Sequence, residues 1–280
     1  MRVPKDKRMH DITKSVKDFY DLIGWQRDAK GESLDKSFWE DQRSVSKLYQ
    51  ARCRAALRRH FFNFSDTLLD AGAGALQHAE YESLYLTFKK IFLLDLSYVA
   101  MQRINASNQR FRLVGSVDAI PLRAASIDCI LSVNVINHVP SQNQELAIRD
   151  MLRVLRPGGR LVVVTYNPHR VNLSKILKKF RIRRGKNLPS TSDRNLGKLR
   201  NESLYWSAVT PEWWKKFEED GILSFYPYRF LFITDLENLI PDNLLGRAAL
   251  EILYFLQLIF RKAGVRWGAY YTVVIDRREI

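Results

Sequence analysis

Short apolar runs alternate with amphipathic stretches through the middle of the chain. The apolar runs predict strands at 68–70, 91–95, 111–114, 129–133 and 160–166. Between them we expect helices at 98–106 and 143–155, the second with an apolar stripe formed by Leu146, Ile148, Leu152 and Leu155. Strands that alternate with helices are typical of a parallel sheet covered on both faces. The pattern therefore predicts an α/β fold.

The flanks of this core also show helix and strand patterns. We predict helices at 12–23 and 42–62 before it, and a helix after it that starts behind Thr210, Pro211 and Glu212, a cap followed by a first-turn proline. An aromatic strand at 222–232, an amphipathic helix at 244–262 and a last strand at 270–275 follow. We expect one domain over 1–280, divided into a helical lead-in (1–63), a core (64–166), a basic insert (167–210) and a C-terminal part (211–280) that completes the sheet.

The first core strand runs into a glycine turn with the sequence Leu-Leu-Asp-Ala-Gly-Ala-Gly at 68–74. Glycines allow a sharp bend and the close approach of a ligand. A dinucleotide-binding fingerprint would need a third glycine at Gln77, and its pyrophosphate would not tolerate a carboxylate such as Asp70 beside it. The pattern favours a ligand that carries an amino group, with a plain glycine turn as the alternative.

Acidic residues follow the next two strands at the same edge of the predicted sheet. Asp95 comes roughly 20 residues after Gly74, the offset at which an acid reaches ribose hydroxyls in nucleotide sites. Asp118 follows the third strand, where it could accept a hydrogen bond from a base amine, with Ala119 and Ile120 as an apolar wall. The alternatives are a helix cap for Asp95 and a turn aspartate for Asp118.

Five motifs in this order resemble the class I S-adenosylmethionine-dependent methyltransferases, over about 67–167. They are Asp-Ala-Gly-Ala-Gly at 70–74, Leu-Asp-Leu-Ser at 94–97, Val-Asp-Ala-Ile-Pro-Leu at 117–122, Ser-Ile-Asp-Cys-Ile-Leu-Ser at 126–132 and Val-Leu-Arg-Pro-Gly-Gly-Arg at 154–160. The resemblance implies a Rossmann-like sheet of seven strands with helices on both faces, an antiparallel last strand and a basic insert after the fifth strand.

The resemblance also implies S-adenosylmethionine as cofactor and assigns residues to it. Gly72 and Gly74 would pass beneath the cofactor, while Asp70 would hold its amino-acid end and Asp95 its ribose. The remaining cofactor-binding residues would be Leu96, Asp118 and Ala119 at the adenine side and Asn134 at the methionine moiety. Leu76 departs from the pattern because many members have a third glycine there, which leaves the path of the loop from Ala75 to His78 open.

Methyl transfer requires an aligned acceptor and, for a hydroxyl acceptor, removal of its proton. His138 follows the fourth strand at the edge where open α/β sheets bind ligands, so it is the candidate general base, a structural role in the loop being the alternative. Tyr20 and Trp25 either cover the cofactor or pack against the sheet edge. No two histidines have the spacing of metal ligands, so no metal is predicted.

Composition narrows the class of protein further. The 280 residues are 46% hydrophobic, enough for a sizeable core, which excludes general disorder. Two cysteines, Cys53 and Cys129, exclude a disulfide framework and favour a reducing compartment. The first residues lack a signal-peptide pattern, and charged residues interrupt the apolar stretch 244–260. We expect a cytoplasmic protein with no membrane span.

The formal charge of +15 is concentrated after the fifth strand. Residues 167–200 contain 11 Lys and Arg and 1 acidic residue, whereas 64–166 contain 10 and 9. This segment fits a lid over an anionic small molecule, an RNA contact, an anionic lipid surface approached together with helix 244–260, or a solvated loop. Phe180 is the single aromatic residue of 171–200, which argues against base stacking.

These features together predict a methyltransferase that acts on a small-molecule or lipid-like, anionic acceptor. Aromatic residues at 204–206, 213–214 and 225–228 would wall the acceptor site or belong to the core. An anionic membrane surface is a candidate partner, with a peripheral location there, and no obligate protein partner is expected. The alternatives are an RNA methyltransferase and a non-catalytic scaffold that binds the cofactor.

Overall fold

The computed structural model describes residues 5–28, 31–64, 66–105, 107–180 and 204–279. Its strands are β1 (Thr67–Ala71), β2 (Lys90–Asp95), β3 (Arg110–Val114), β4 (Ile127–Val133), β5 (Leu155–Tyr166), β6 (Gly221–Arg229) and β7 (Tyr270–Arg277). They form one sheet in the order β3-β2-β1-β4-β5-β7-β6.

Ten α-helices lie within the described residues. They are α1 (Lys5–Phe19), α2 (Leu34–Trp39), α3 (Ser44–Ala55), α4 (Ala79–Tyr85), α5 (Tyr98–Gln102), α6 (Gln144–Val154), α7 (Leu173–Phe180), α8 (Ile233–Leu239), α9 (Leu244–Ile259) and α10 (Arg261–Trp267). A π-helical turn, Tyr20–Gly24, and three 3-10 turns, Ala56–His60, Ile136–His138 and Pro211–Phe217, complete the regular structure.

The strand directions confirm the predicted mixed sheet. β1 pairs in parallel with β2 and β4, and β2 with β3 and β4 with β5 in the same way. Only β7 runs antiparallel, to β5 on one side and to β6 on the other. The strand order reverses between β1 and β4, the place where open α/β sheets bind ligands at the carboxyl ends of their strands.

Helices cover both faces of the sheet because the strands are apolar on both sides. Leu68 and Leu69 are adjacent in β1 and fully buried, but they belong to different core clusters, as the alternation of side chains along a strand requires. The first cluster packs against α3, α4 and α9, and the second contains Ile148 and Met151 of α6. Each cluster thus joins one face of the sheet to its own helices.

Several boundaries differ from the sequence-based expectation. The helix expected at 42–62 ends at Ala55 and continues as a 3-10 turn, and the helix expected at 244–262 is broken at Phe260, whose ψ of 53° is not helical. The helix behind Thr210 is a 3-10 helix. The short helices α2, α4 and α8 were missed because six or seven residues show too few turns of a helical pattern.

The basic insert is described only in part. Its first residues form α7, whereas residues 181–203, which carry much of the predicted basic segment, lie outside the described residues. Within the described ranges, none of the helices has both the length and the apolar character that crossing a membrane requires.

Candidate active site

A cavity lies at the carboxyl edge of the parallel strands. Its volume is about 210 Å³. The ends of four strands reach its wall through Asp70 of β1, Asp95 of β2, Val133 of β4 and Arg229 of β6. Its position at the reversal of strand order makes it the candidate active site.

The glycine loop is held against the end of β2 by its backbone. The carbonyl oxygen of Leu94 accepts hydrogen bonds from the N–H groups of Gly72, at 2.7 Å, and Ala73, at 2.9 Å. The N–H of Gly74 donates to Asp95 Oδ2 at 2.8 Å. Asp95 therefore ties two strand ends together in addition to facing the cavity.

Both loop glycines are required by geometry. Gly72 and Gly74 have φ values of 96° and 56°, in the left-handed region that favours glycine. A Cβ at Gly72 would lie 2.1 Å from Val135 Cγ2, and one at Gly74 would lie 2.5 Å from the ring of Trp25. The glycines thus admit neighbouring side chains as well as a bend.

Leu76 occupies the position at which the resemblance implies a third glycine. Its φ is 50°, so the backbone adopts the conformation that a glycine would favour while carrying a leucine. Such a conformation costs roughly 1–2 kcal/mol for an L-residue. The chain continues to Gln77, whose Nε2 donates to Asp35 Oδ2 at 2.7 Å, which settles the path that the sequence left open.

Three carboxylates line the cavity, that of Asp70 buried and those of Asp95 and Asp35 partly buried. Burial raises the pKa of Asp70 to about 7 and the pKa values of Asp95 and Asp35 to about 6, because water no longer solvates the charged forms. Among the described residues, no Lys, Arg or His lies within ion-pair distance of any of the three. The cavity therefore has an uncompensated negative end, which favours a cationic ligand.

Two buried polar atoms at the cavity also lack partners in the described part of the chain. They are the side-chain oxygen Oδ1 of Asn134 and the indole Nε1 of Trp25. Asn134 adopts a φ of 60°, directly after β4. Since buried polar atoms are nearly always hydrogen-bonded, these two atoms are suited to a polar ligand.

The structure brings most of the predicted site residues together. Those that line the cavity are Asp70, Gly72, Gly74, Asp95, Leu96, Asp118, Asn134 and His138. Asp118 accepts a hydrogen bond from Asn143 Nδ2 at 2.8 Å. Ala119 is exposed and does not line the cavity, because its N–H bonds back to the carbonyl of Ser116 in a turn; Ser116 and Val117 are on the wall instead.

His138 lines the same cavity and has a defined tautomer. Its Nδ1 lies 3.0 Å from the carbonyl oxygen of Tyr205, which can only accept, so Nδ1 carries the hydrogen and Nε2 keeps its lone pair. Nε2 lies 3.4 Å from the hydroxyl of Tyr20. Burial lowers the pKa of His138 to about 4, so the imidazole is neutral at neutral pH.

The N-terminal lead-in forms part of the cavity wall. The rings of Tyr20 and Trp25 stack with their centroids 5.4 Å apart, and both residues line the cavity. Trp25 is 5% exposed and packs against Gly74. Of the two interpretations of these aromatic residues, the structure favours the one in which they cover the site.

A further part of the cavity wall is aromatic. The rings of Trp39 and Trp206 stack with centroids 5.0 Å apart, and the hydroxyls of Tyr81 and Tyr228 lie 3.4 Å from each other. Trp206 and Tyr228 come from the aromatic segments singled out in the sequence, whereas Trp214 is fully buried in the core. Asp35, Trp39 and Arg229 were missed because no sequence pattern connects them with the cavity.

The sequence and the fold are both similar to those of known proteins. Residues 69–163 match the family model of the methyltransferase domain. Methyltransferase GfsG of Streptomyces halstedii is 25% identical over 166 residues, 54% of this chain and 58% of that protein. The chain spans about half the length of the curated relatives it matches, 52% of one and 58% of another.

Two solved structures show the fold over nearly the whole chain. Geranyl diphosphate C-methyltransferase from Streptomyces coelicolor A3(2) has a TM-score of 0.54 and 14% identity, with 95% of this chain and 98% of that chain covered. The cyclase SpnF has a TM-score of 0.56 and 16% identity, with 96% and 97% covered. Residues 69–163 therefore resemble a methyltransferase domain, and the fold is that of the class I S-adenosylmethionine-dependent methyltransferases.

The raised pKa of Asp70 predicts a specific pH dependence of stability. Folding favours the protonated carboxyl, so its contribution is complete below about pH 4 and is lost as the pH rises to about 7. Asp70→Asn mimics the protonated form, and we expect it to raise the free energy of unfolding at about pH 8 by on the order of 2 kcal/mol in urea titrations without ligand.

The difference between Asp70→Asn and the native protein should shrink as the pH is lowered toward 4. Asp66→Asn is the matched control, since Asp66 is exposed and lies outside the cavity. An equal effect of the two substitutions at every pH would contradict the assignment of the pH dependence to the buried carboxylate.

Proposed function

We propose that the protein is an S-adenosylmethionine-dependent methyltransferase that acts on a small-molecule acceptor. The observation that carries the proposal is the cavity at the reversal of strand order, lined by three carboxylates with no cationic partner among the described residues, in a chain whose residues 69–163 match a methyltransferase domain. Similarity of fold does not by itself fix an activity, so the chemistry of the cavity has to support it.

The residues present fit the proposed cofactor. S-adenosylmethionine supplies a methyl group on a positively charged sulfur and also carries an ammonium group, so it would compensate the buried carboxylates. We assign its amino-acid end to Asp70, its ribose to Asp95 and its adenine to Asp118. The unpartnered Oδ1 of Asn134 and Nε1 of Trp25 would gain hydrogen-bond partners.

His138 is suited to remove a proton from the acceptor. Its pKa of about 4 leaves Nε2 unprotonated at neutral pH, and the carbonyl of Tyr205 holds the ring in place through Nδ1. When Nε2 takes a proton from an acceptor hydroxyl or amine, that same carbonyl stabilises the imidazolium that forms. The lead-in residues Tyr20 and Trp25 would exclude water from the reacting atoms.

A small acceptor is supported by the named relatives and by the cavity. One structural relative is named for geranyl diphosphate, a small molecule, and another for a cyclisation, so this fold serves more than one reaction. The aromatic part of the cavity wall, with the stacked rings of Trp39 and Trp206, offers apolar surface to the carbon skeleton of an acceptor.

Exposed apolar side chains of α9 favour binding of the protein to a membrane surface. Its inner side chains Leu250 and Tyr254 are buried, but its outer ones form what we call the α9 surface. This surface consists of Leu244, Leu245, Ile252, Phe255, Ile259 and Phe260, each more than half exposed. Exposed apolar groups of this size mark an interaction site.

The positive charges beside the α9 surface favour anionic lipid as its binding partner. The exposed basic residues Arg247, Arg261, Lys262 and Arg266 flank it, and the single acid of α9, Glu251, is paired with Arg52. Four cations would repel a second copy placed face to face but would attract lipid phosphates. We infer peripheral binding to anionic membranes.

Cofactor binding is the first expected outcome. S-adenosylmethionine or S-adenosylhomocysteine, added far above its dissociation constant, should stabilise the protein by a few kcal/mol in thermal-shift assays. Asp95→Ala should abolish the shift, and Asp66→Ala, at an exposed site, should not. The proposed function is wrong if neither ligand shifts the melting of the native protein.

The role of His138 predicts a loss of turnover without a loss of cofactor binding. His138→Asn should slow labelled methyl transfer into the small-molecule fraction of a cell extract by about 10²–10⁴-fold, while affinity for S-adenosylhomocysteine stays the same. His169→Asn, at an exposed residue away from the cavity, is the control.

The pH dependence of the same methyl-transfer rate is a second test of His138. With the pKa of His138 at about 4, the rate should not fall between about pH 8 and pH 6 through protonation of this group. If methyl transfer by the His138→Asn variant is as fast as by the native protein, His138 is a structural residue of the loop.

The fraction that receives the label distinguishes the other functions. Label in the RNA fraction would favour an RNA methyltransferase, and cofactor binding with no label in any fraction would favour a scaffold.

Membrane binding by the α9 surface is tested with vesicles. We expect co-sedimentation with vesicles that contain phosphatidylglycerol but little with pure phosphatidylcholine. Phe255→Ser and Ile259→Ser should weaken it by about tenfold, as expected for lost apolar burial, whereas Ile222→Ser, at an equally exposed side chain of β6, should not. A native dimer that the Phe255→Ser substitution dissociates would instead assign the surface to a second copy.

A further inference from the structure

Arg229 is a buried cation in the wall of the cavity, at the last position of β6. Because β6 runs parallel to β1 and β4, its carboxyl end lies at the same edge of the sheet as the glycine loop. Arg229 is 5% exposed. A buried guanidinium is costly unless it is paired, so its partners determine what it does.

The partners of Arg229 are neutral. Its Nη1 donates to Gln50 Oε1 at 3.0 Å and its Nη2 to the carbonyl oxygen of Trp39 at 3.4 Å, while its Cζ lies 4.4 Å from the centre of the Tyr270 ring. In the described part of the chain Nε has no hydrogen-bond partner and no carboxylate lies within ion-pair distance.

The buried Arg54 and the partly buried Arg170 show the usual arrangement. Arg170 pairs with Asp235 at 3.1 Å. Arg54 pairs with Glu80 at 3.1 Å and also with Glu40. Glu40 lines the cavity and is the carboxylate that interacts electrostatically with Arg229. Since Arg54 already holds Glu40, Arg229 keeps donors for a further anion.

The surroundings of Arg229 add hydroxyl donors and apolar walls. Tyr228 and Tyr81 line the same cavity, and burial raises the pKa of Tyr228 to about 12, so its hydroxyl stays protonated and can donate. The indoles of Trp39 and Trp206 lie along the wall. This combination fits a ligand with one anionic group on an apolar or planar body.

We propose that Arg229 binds the anionic group, a carboxylate or a phosphate, of the methyl acceptor and so determines acceptor specificity. The inference rests on the proposed function and deepens it. Charged groups of both signs would then have separate roles in the cavity: the carboxylates Asp70 and Asp95 would bind the cationic cofactor, and Arg229 the acceptor. An acceptor anchored in this way is presented to the methyl group in one orientation.

The subsite is tested by binding of simple anions to protein saturated with S-adenosylhomocysteine. The probes are benzoate and phenyl phosphate, which distinguish a carboxylate from a phosphate, and benzamide as the neutral counterpart of benzoate. We expect at least one anion to quench the fluorescence of the cavity tryptophans, with benzamide at least about tenfold weaker, the effect of losing a charge-assisted hydrogen bond.

Variants then assign that binding to Arg229. Arg229→Gln should raise the dissociation constant of the anion by at least about tenfold, and Arg229→Lys should restore part of the affinity, while affinity for S-adenosylhomocysteine stays the same. Arg149→Gln, at an exposed arginine of α6 outside the cavity, is the control. A second readout is the labelled methylation product, which should be retained on an anion exchanger.

The possible failures are distinct. If the native protein does not bind S-adenosylhomocysteine, the proposed function itself fails. If it binds that ligand but neither anion, if benzamide binds as well as benzoate, if Arg229→Gln keeps the native affinity for the anion, or if the methylated product is not anionic, the anionic subsite is wrong and the proposed function stands.

Discussion

The cavity depends on the attachment of the glycine loop to the end of β2. Gly72 and Ala73 bond to the carbonyl of Leu94, and Gly74 bonds to the side chain of Asp95. These bonds fix the turn after β1 and position Asp95 at once, so the two strand ends cannot move independently. They also place Gly74 where the ring of Trp25 can pack against it, which brings the N-terminal lead-in onto the cavity wall.

Burial around this attachment explains the electrostatics of the site. A wall made by Trp25, Tyr20 and the strand ends keeps water from the carboxylates, which raises the pKa values of Asp70 and Asp95 without any cation to lower them. The protein thereby gives up stability near neutral pH at the place where a positively charged ligand would restore it. The same exclusion of water lowers the pKa of His138 and keeps it neutral. Burial would therefore favour both the binding of a cationic ligand by the carboxylates and the removal of a proton by His138.

Local sequence patterns predicted the sheet and most of the carboxylates and glycines that line the cavity. The strands are short apolar runs. Asp70 and Asp95 lie at the carboxyl ends of β1 and β2, and Gly72, Gly74 and Asn134 follow the ends of β1 and β4, so their meeting at one edge follows from a parallel sheet. Leu76 kept a glycine-like φ although its identity departs from the pattern, because the neighbouring hydrogen bonds determine the path of the loop.

The surroundings of Arg229 could not be predicted in the same way, because their residues are brought together by long-range packing. Arg229 and Trp39 meet at a hydrogen bond between residues 190 positions apart in the sequence, and Gln50 reaches the same guanidinium from α3. A single arginine at the end of an aromatic strand gives no sign of burial. Its partners become visible only when α3, β6 and β7 are packed together.

The excess of positive charge therefore has a different meaning in the folded protein. Net charge counts every Lys and Arg equally, but an anion bound in a cavity is recognised by the cation that lacks a carboxylate partner and is removed from water. Exposed cations such as those beside the α9 surface act over a wider area and are screened by salt. Residues 167–200 carry most of the net positive charge of the sequence. Arg229, which lies outside that segment, is nevertheless the buried cation that meets the conditions for specific recognition of an acceptor. The basic surface and the buried arginine can thus serve two successive steps, approach to an anionic surface and selection of an anionic molecule from it.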